Sequence, residues 1–135
     1  PRMGWLQRLF GRGPRAPHFV PPSQLAWTER ESGLGVSVEV EGTGEQPGPS
    51  DRVEVRYAGW LEDGKAFDAS WSKTATFPLD RVIPGWTEGV GCLRPGGRAW
   101  LRVPPHLGYG SRGAPPRIPP RATLVFCVEL VRVIG

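Results

Sequence analysis

The stretch Val55-Arg56-Tyr57-Ala58-Gly59-Trp60-Leu61-Glu62-Asp63-Gly64-Lys65-Ala66-Phe67-Asp68 decides the fold of this chain. Val53, Val55 and Tyr57 alternate with Arg52, Glu54 and Arg56, the two-residue period of a half-buried strand. Asp63-Gly64 is a strong turn signal, because glycine takes the positive backbone angle that a tight reversal needs. Past the turn stands Phe67-Asp68, an aromatic ring beside an acid.

Outward from this stretch the same period recurs. Val36, Val38 and Val40 alternate with Ser37, Glu39 and Glu41, so residues 34–41 are expected to form a strand. Gly42 to Asp51 is a turn-rich connection, and Thr74 to Leu79 is a short strand. Val82-Ile83-Pro84-Gly85-Trp86 opens a helix, since proline is tolerated in the first turn. Trp86, Val90 and Leu93 share one helical face. Gly89 and Gly91 weaken this helix, so it must pack on a sheet, with Gly89 allowing close approach. After Gly96-Gly97, Ala99, Leu101 and Val103 are expected to face inward, and Arg98, Trp100 and Arg102 outward. Residues 104–120 form a long loop carrying six prolines. The last strand runs from about Ala122 to Val133, with Leu124, Phe126, Val128 and Leu130 on the core face. This order implies an α+β fold: a twisted antiparallel β-sheet wrapped around one short α-helix, one sheet face buried and the other wet. A pocket is expected where the helix start and the long loop meet the sheet edge.

With 135 residues the chain suits one domain with a real core. Its 19 glycines and 16 prolines favour short strands over a helical bundle. Residues 1–32 read as a flexible, basic, Pro/Gly-rich tail, and residues 33–135 as the domain. Within the tail, Trp5, Leu6, Leu9 and Phe10 have helical spacing, too briefly for a stable helix. Arg2, Arg8, Arg12 and Arg15 meet no acid there. The net charge of +4 implies solubility and weak attraction to polyanions, with no specific nucleic-acid site. Cys92 and Cys127 fit no metal spacing and read as free thiols, which suggests a reducing, cytoplasmic setting. No apolar stretch reaches the length of a membrane span or a signal peptide. His18 and His106 leave no nucleophile–base set, and neither cofactor nor metal is expected.

Five ordered blocks carry a resemblance. They are Tyr57-Ala58-Gly59-Trp60-Leu61-Glu62-Asp63-Gly64, Phe67-Asp68, Val82-Ile83-Pro84-Gly85-Trp86-Thr87-Glu88-Gly89, Tyr109-Gly110, and Ile118-Pro119-Pro120 through Phe126. Residues 33–134 resemble the compact, single-domain FKBP-type peptidyl-prolyl isomerases, which bind tacrolimus and rapamycin. The resemblance implies a catalytic group of Tyr57, Phe67, Asp68, Trp86, Tyr109 and Phe126. Trp86 would be the floor beneath a proline ring, with Tyr57, Phe67 and Phe126 as walls. Val82, Ile83 and Ile118 would complete the binding pocket. The Ile83 N–H and the Tyr109 hydroxyl would donate to bound carbonyls, and Asp68 would orient its neighbours. Ala75 stands where relatives often carry a large apolar residue, and Arg117 where they carry a small or aliphatic one. Both are assigned to the substrate rim. Trp71-Ser72-Lys73-Thr74 is shorter than usual, and Lys73 is the nearest stand-in for an arginine.

The implied activity is peptidyl-prolyl cis-trans isomerisation, acting as a monomer on proline-containing peptides and unfolded proteins. The X–Pro bond resists rotation by ~18–20 kcal/mol. A thousandfold acceleration needs only about 4 kcal/mol of differential binding and no covalent step. Two rivals stand beside it. One is a catalytically weak module that holds proline peptides in the same pocket, motivated by Ala75 and Arg117. The other is an anionic-surface or nucleic-acid binder, suggested by an exposed Trp100 between Arg98 and Arg102. The plainer reading of those three residues is a cation–π ladder.

Overall fold

A computed structural model describes residues 15–135. Among them six strands form a single antiparallel sheet: β1 (Thr28–Glu29), β2 (Gly35–Val40), β3 (Arg52–Leu61), β4 (Ala66–Pro78), β5 (Arg98–Val103) and β6 (Leu124–Val133). Their spatial order is β1-β2-β5-β6-β3-β4. One α-helix, α1 (Pro84–Gly91), lies against the inner face with Pro84 in its first turn. The α+β expectation holds. The β3–β4 hairpin turns at Asp63-Gly64, where Gly64 has φ +94° and its N–H donates to the Leu61 carbonyl at 2.9 Å. None of the described helices is long and apolar enough to cross a membrane.

The inner core joins Val53, Val55, Leu101, Leu124 and Leu130 of the sheet to Val90 of the helix. Each such side chain contributes ~1.5–3 kcal/mol when fully buried. The helix approaches closely because Gly89 has no side chain. A Cβ at that position would lie 2.7 Å from Leu101 Cδ1. The expected short strand at Thr74 to Leu79 is instead the end of a thirteen-residue β4. Its pairing with β3 shifts register twice, so two irregularities break the alternation that would have marked its first half. Val38 and Val40, expected on a half-buried face with Val36, are exposed, while Val36 is buried. The inner core reaches only the Val36 end of β2.

The outer face of the sheet is not uniformly wet. Over the first half of β3 it carries Glu54, ion-paired to Arg132 at 2.6 Å. Over the second half, Ala58, Trp60, Trp71, Trp100, Val125 and Cys127 form a second buried cluster. Phe19, Val20, Leu25 and Trp27 pack over it. Phe19 meets Trp60 at 5.7 Å between ring centroids, and Trp60 stacks on Trp100 at 5.7 Å and 21°. The Trp27 indole N–H donates to the Pro22 carbonyl at 2.9 Å and holds this strap in a compact turn. Trp100, expected outside between two arginines, is therefore buried, with its N–H donated to Glu39 at 3.1 Å. Arg98 and Arg102 do lie over rings, but those rings are Trp71 and Trp27.

The strap also bears on the boundary expected at residues 32/33. That point falls in the turn of a hairpin, where Thr28 pairs with Val36 and the Arg30 N–H donates to Leu34. The packed unit extends back at least to Phe19. Residues 17–27 partly bury isolated aromatic and aliphatic side chains without any helix or strand period, so a periodicity reading passes over them. Trp5, Leu6, Leu9 and Phe10 lie outside the described residues.

Candidate functional site

A groove of about 430 Å³ opens where the start of α1, the β3–β4–β6 part of the sheet and the Pro-rich loop converge. Register explains its walls. Gly59 of β3 pairs with Phe126 on one side and Asp68 on the other. Having no side chain, Gly59 lets Phe67 and Phe126 meet edge-to-face at 5.5 Å, while a Cβ there would come within 2.9 Å of both rings. The register shift between Gly59 and Trp60 bulges β4 opposite them. A bulge breaks strict alternation, and the neighbouring residues Phe67 and Asp68 both line the groove.

Trp86 lies in the first turn of α1 and is buried. Its ring makes edge contacts with Tyr57 at 5.0 Å and with Phe77 and Phe126 at 5.5 Å each. Such pairs add about 0.5–1.5 kcal/mol beyond burial and hold the rings of the box against one another. The indole N–H is buried and has no partner among the described residues. Polar groups sit on the walls. The Tyr57 hydroxyl donates to Asp68 Oδ2 at 2.8 Å, and the other oxygen of Asp68 accepts the Ala69 N–H at 2.9 Å. Burial first, and the Asp68 bond second, push the Tyr57 hydroxyl well above its ordinary pKa, so it stays a donor. Among the described residues, the Ile83 N–H and the Tyr109 hydroxyl have no hydrogen-bond partner. Tyr109 is exposed at the mouth.

Tyr57, Phe67, Asp68, Val82, Ile83, Trp86, Tyr109 and Phe126 thus come together as the sequence suggested. Three other expected residues do not line the groove. Ile118 pairs its backbone with Ala114, and its side chain is buried in the inner core. Ala75 packs against that core from β4 without reaching the cavity. Arg117 lies in a neighbouring cleft, where Nη1 donates to the Phe67 carbonyl at 3.0 Å. Two lining residues were missed, Phe77 and Arg81. Phe77 was legible as an aromatic two positions along the strand from Ala75, on the same face. Arg81 sits in a short 3-10 turn before the helix and carries no pattern that separates it from a solvated charge. Among the described residues no three His, Cys, Asp or Glu side chains cluster as a metal site.

The groove is an apolar slot with an aromatic floor, the unpaired Ile83 N–H and Tyr109 hydroxyl, the Arg81 guanidinium and the Asp68 carboxylate, suited to a small ring flanked by carbonyls. Comparison with known proteins agrees with that geometry. The family model for FKBP-type peptidyl-prolyl cis-trans isomerase matches residues 43–131. The FkpA isomerase of Escherichia coli is 50% identical over 104 residues, covering 76% of this chain and 38% of that protein. The chain therefore spans well under half the length of its FkpA relatives. A Neisseria meningitidis protein named FK506-binding protein is 44% identical, over 69% of this chain and 89% of its own length. The crystal structure of a peptidyl-prolyl cis-trans isomerase from Pseudomonas syringae superposes with a TM-score of 0.77 at 38% identity, covering 84% of each chain. This chain belongs to the FKBP-type peptidyl-prolyl cis-trans isomerase family.

Proposed function

We propose that the chain is a peptidyl-prolyl cis-trans isomerase acting on proline-containing peptides and unfolded segments. One observation carries this reading: an aromatic box closed by Trp86 beside the unpaired Ile83 N–H and Tyr109 hydroxyl. The proline ring fills the box and excludes water from the X–Pro amide. Twisting that amide removes its resonance and its charge separation, so a dry wall disfavours the planar ground state. The Ile83 N–H and Tyr109 hydroxyl hold the flanking carbonyls while the bond turns, and Asp68, fixed by Tyr57, orients the groups at the mouth. The proton on Tyr57 is retained throughout. Tacrolimus and rapamycin are expected to compete for the same box, as the name FK506-binding protein says of the Neisseria relative.

The test is nuclear magnetic exchange of a short X–Pro peptide, which needs no coupled protease. Wild type accelerates exchange, tacrolimus abolishes the acceleration, and Trp86→Leu lowers it at least tenfold. Peptide binding without faster exchange would favour the proline-peptide binding module instead.

A further inference from the structure

The groove does not end at Phe67 and Asp68. Both residues also line a second, neighbouring cleft, completed by Lys65, Ala66, Ala69, Pro116 and Arg117. A peptide chain that passes the proline through the aromatic box can therefore continue over the Phe67–Asp68 backbone into this cleft. Its two long side chains are both cations. Arg117 is pinned by one bond, Nη1 to the Phe67 carbonyl at 3.0 Å, which leaves Nε and Nη2 of its planar fork unassigned. The four ion pairs among the described residues engage Arg30, Arg98, Arg102 and Arg132, so neither Lys65 nor Arg117 has a carboxylate partner there.

Two nearby acids, Asp68 and Asp63, already accept hydrogen bonds within the hairpin. Asp68, the one carboxylate among the described residues that line either hollow, accepts from the Tyr57 hydroxyl and the Ala69 N–H. Asp63 accepts the Lys65 backbone N–H at 2.9 Å, and Glu62 is exposed beside it. The Pro-rich loop that forms the cleft wall, residues 104–121, carries His106, Arg112, Arg117 and Arg121 and no acid. Within the cleft lining, two cations, Lys65 and Arg117, stand against the single Asp68 carboxylate.

We propose that this cleft reads an acidic residue on one flank of the substrate proline, with Lys65 and Arg117 meeting its carboxylate. The proposal rests on the isomerase reading of the groove and names the substrate class that reading leaves open: X–Pro segments with Asp or Glu beside them on one side. Arg117 and Lys65 are then specificity-determining residues, and of the two only Arg117 also touches the box, through the Phe67 carbonyl. Solvent-exposed pairs of this kind favour the charged peptide by about two- to fivefold, and salt screens them.

The experiment uses a peptide series with a single proline and one Glu moved stepwise along both flanks, each paired with the Gln version. Exchange efficiency and Kd are measured at low and high salt for wild type, Lys65→Gln, Arg117→Gln and the double variant. The expected result is a Glu/Gln ratio of about two to five at positions on one flank only, falling toward one in salt and in the double variant. Lys65→Gln leaves the Phe67 contact intact, so a drop in its ratio cannot come from a displaced loop. A ratio that is the same in wild type and both single variants, or equal on both flanks, overturns the proposal. If the Gln peptides are not isomerised at all, the isomerase reading fails, and the Kd ratio alone then decides whether the cleft selects acids.

Discussion

The Tyr57 hydroxyl reaches across the β3–β4 hairpin and donates to Asp68 Oδ2 at 2.8 Å, although Tyr57 itself pairs with Ser70. The bond links a buried wall of the groove to an exposed acid at its mouth. Tyr57→Phe keeps the ring and deletes the donor. The stability loss is expected at about 0.5–1.5 kcal/mol, with isomerisation lowered severalfold. A double-mutant cycle with Asp68→Ala in urea unfolding should return a coupling of similar size. Strict additivity of the two variants would show that the bond contributes nothing.

Two glycines of α1 should respond to alanine with opposite signs. A Cβ at Gly91 meets nothing within 4 Å, so Gly91→Ala gains helix propensity, about 0.5–1 kcal/mol. A Cβ at Gly89 lies 2.7 Å and 2.8 Å from the two terminal carbons of fully buried Leu101. Overpacking costs about 1–3 kcal/mol and outweighs the same propensity gain. Denaturant midpoints of the two variants decide the matter, and a stabilised Gly89→Ala would mean that the helix sits farther from the sheet.

The strap predicts where truncation begins to hurt. A chain beginning at Arg15 retains Phe19, Leu25 and Trp27 over the tryptophan cluster, and one beginning at Thr28 loses them. The shorter chain is expected to be less stable by roughly 2–3 kcal/mol, from partial exposure of Trp60 and Trp100 net of the freed strap entropy. No strap residue lines the groove, so turnover by the folded fraction should persist. Equal urea midpoints for the two chains would rule out a stabilising role for the strap.

Cys127 predicts an alkaline limit. Burial pushes its thiol from an ordinary 9.0 up to about 12. The folded state therefore keeps a proton that the unfolded chain releases, and the unfolded state binds fewer protons above about pH 9. Stability from this group is complete below about pH 9 and declines toward about pH 12, at up to ~1.4 kcal/mol per pH unit. Cys92 is also raised by burial, and Tyr57 adds to the decline above its own ordinary value of 10.0. Unfolding midpoints from about pH 8 to about pH 11 should fall less steeply in Cys127→Ala than in wild type. Parallel curves would place the alkaline loss elsewhere.

What the sequence determined by itself was local. The alternation through Val53, Val55 and Tyr57, the Asp63-Gly64 turn and the Pro84 helix start are visible because strand period, turn geometry and proline constraint act within a few residues. The ordered blocks also named eight of the ten side chains that line the groove. Tertiary structure alone decided the rest. The bulge opposite Gly59 turns Phe67 and Asp68 into one cavity, which alternation forbids. The backbone pairing of Ile118 with Ala114 buries a side chain expected at the rim, and the Arg117 bond to Phe67 moves a charge into the next cleft. Trp100 sits on a strand face that reads as wet, yet it is dry, because Phe19 and Trp27 arrive from a segment with no period of its own. Burial of a strand's second face depends on what the rest of the chain brings over it, and such long-range cover leaves no trace in local spacing.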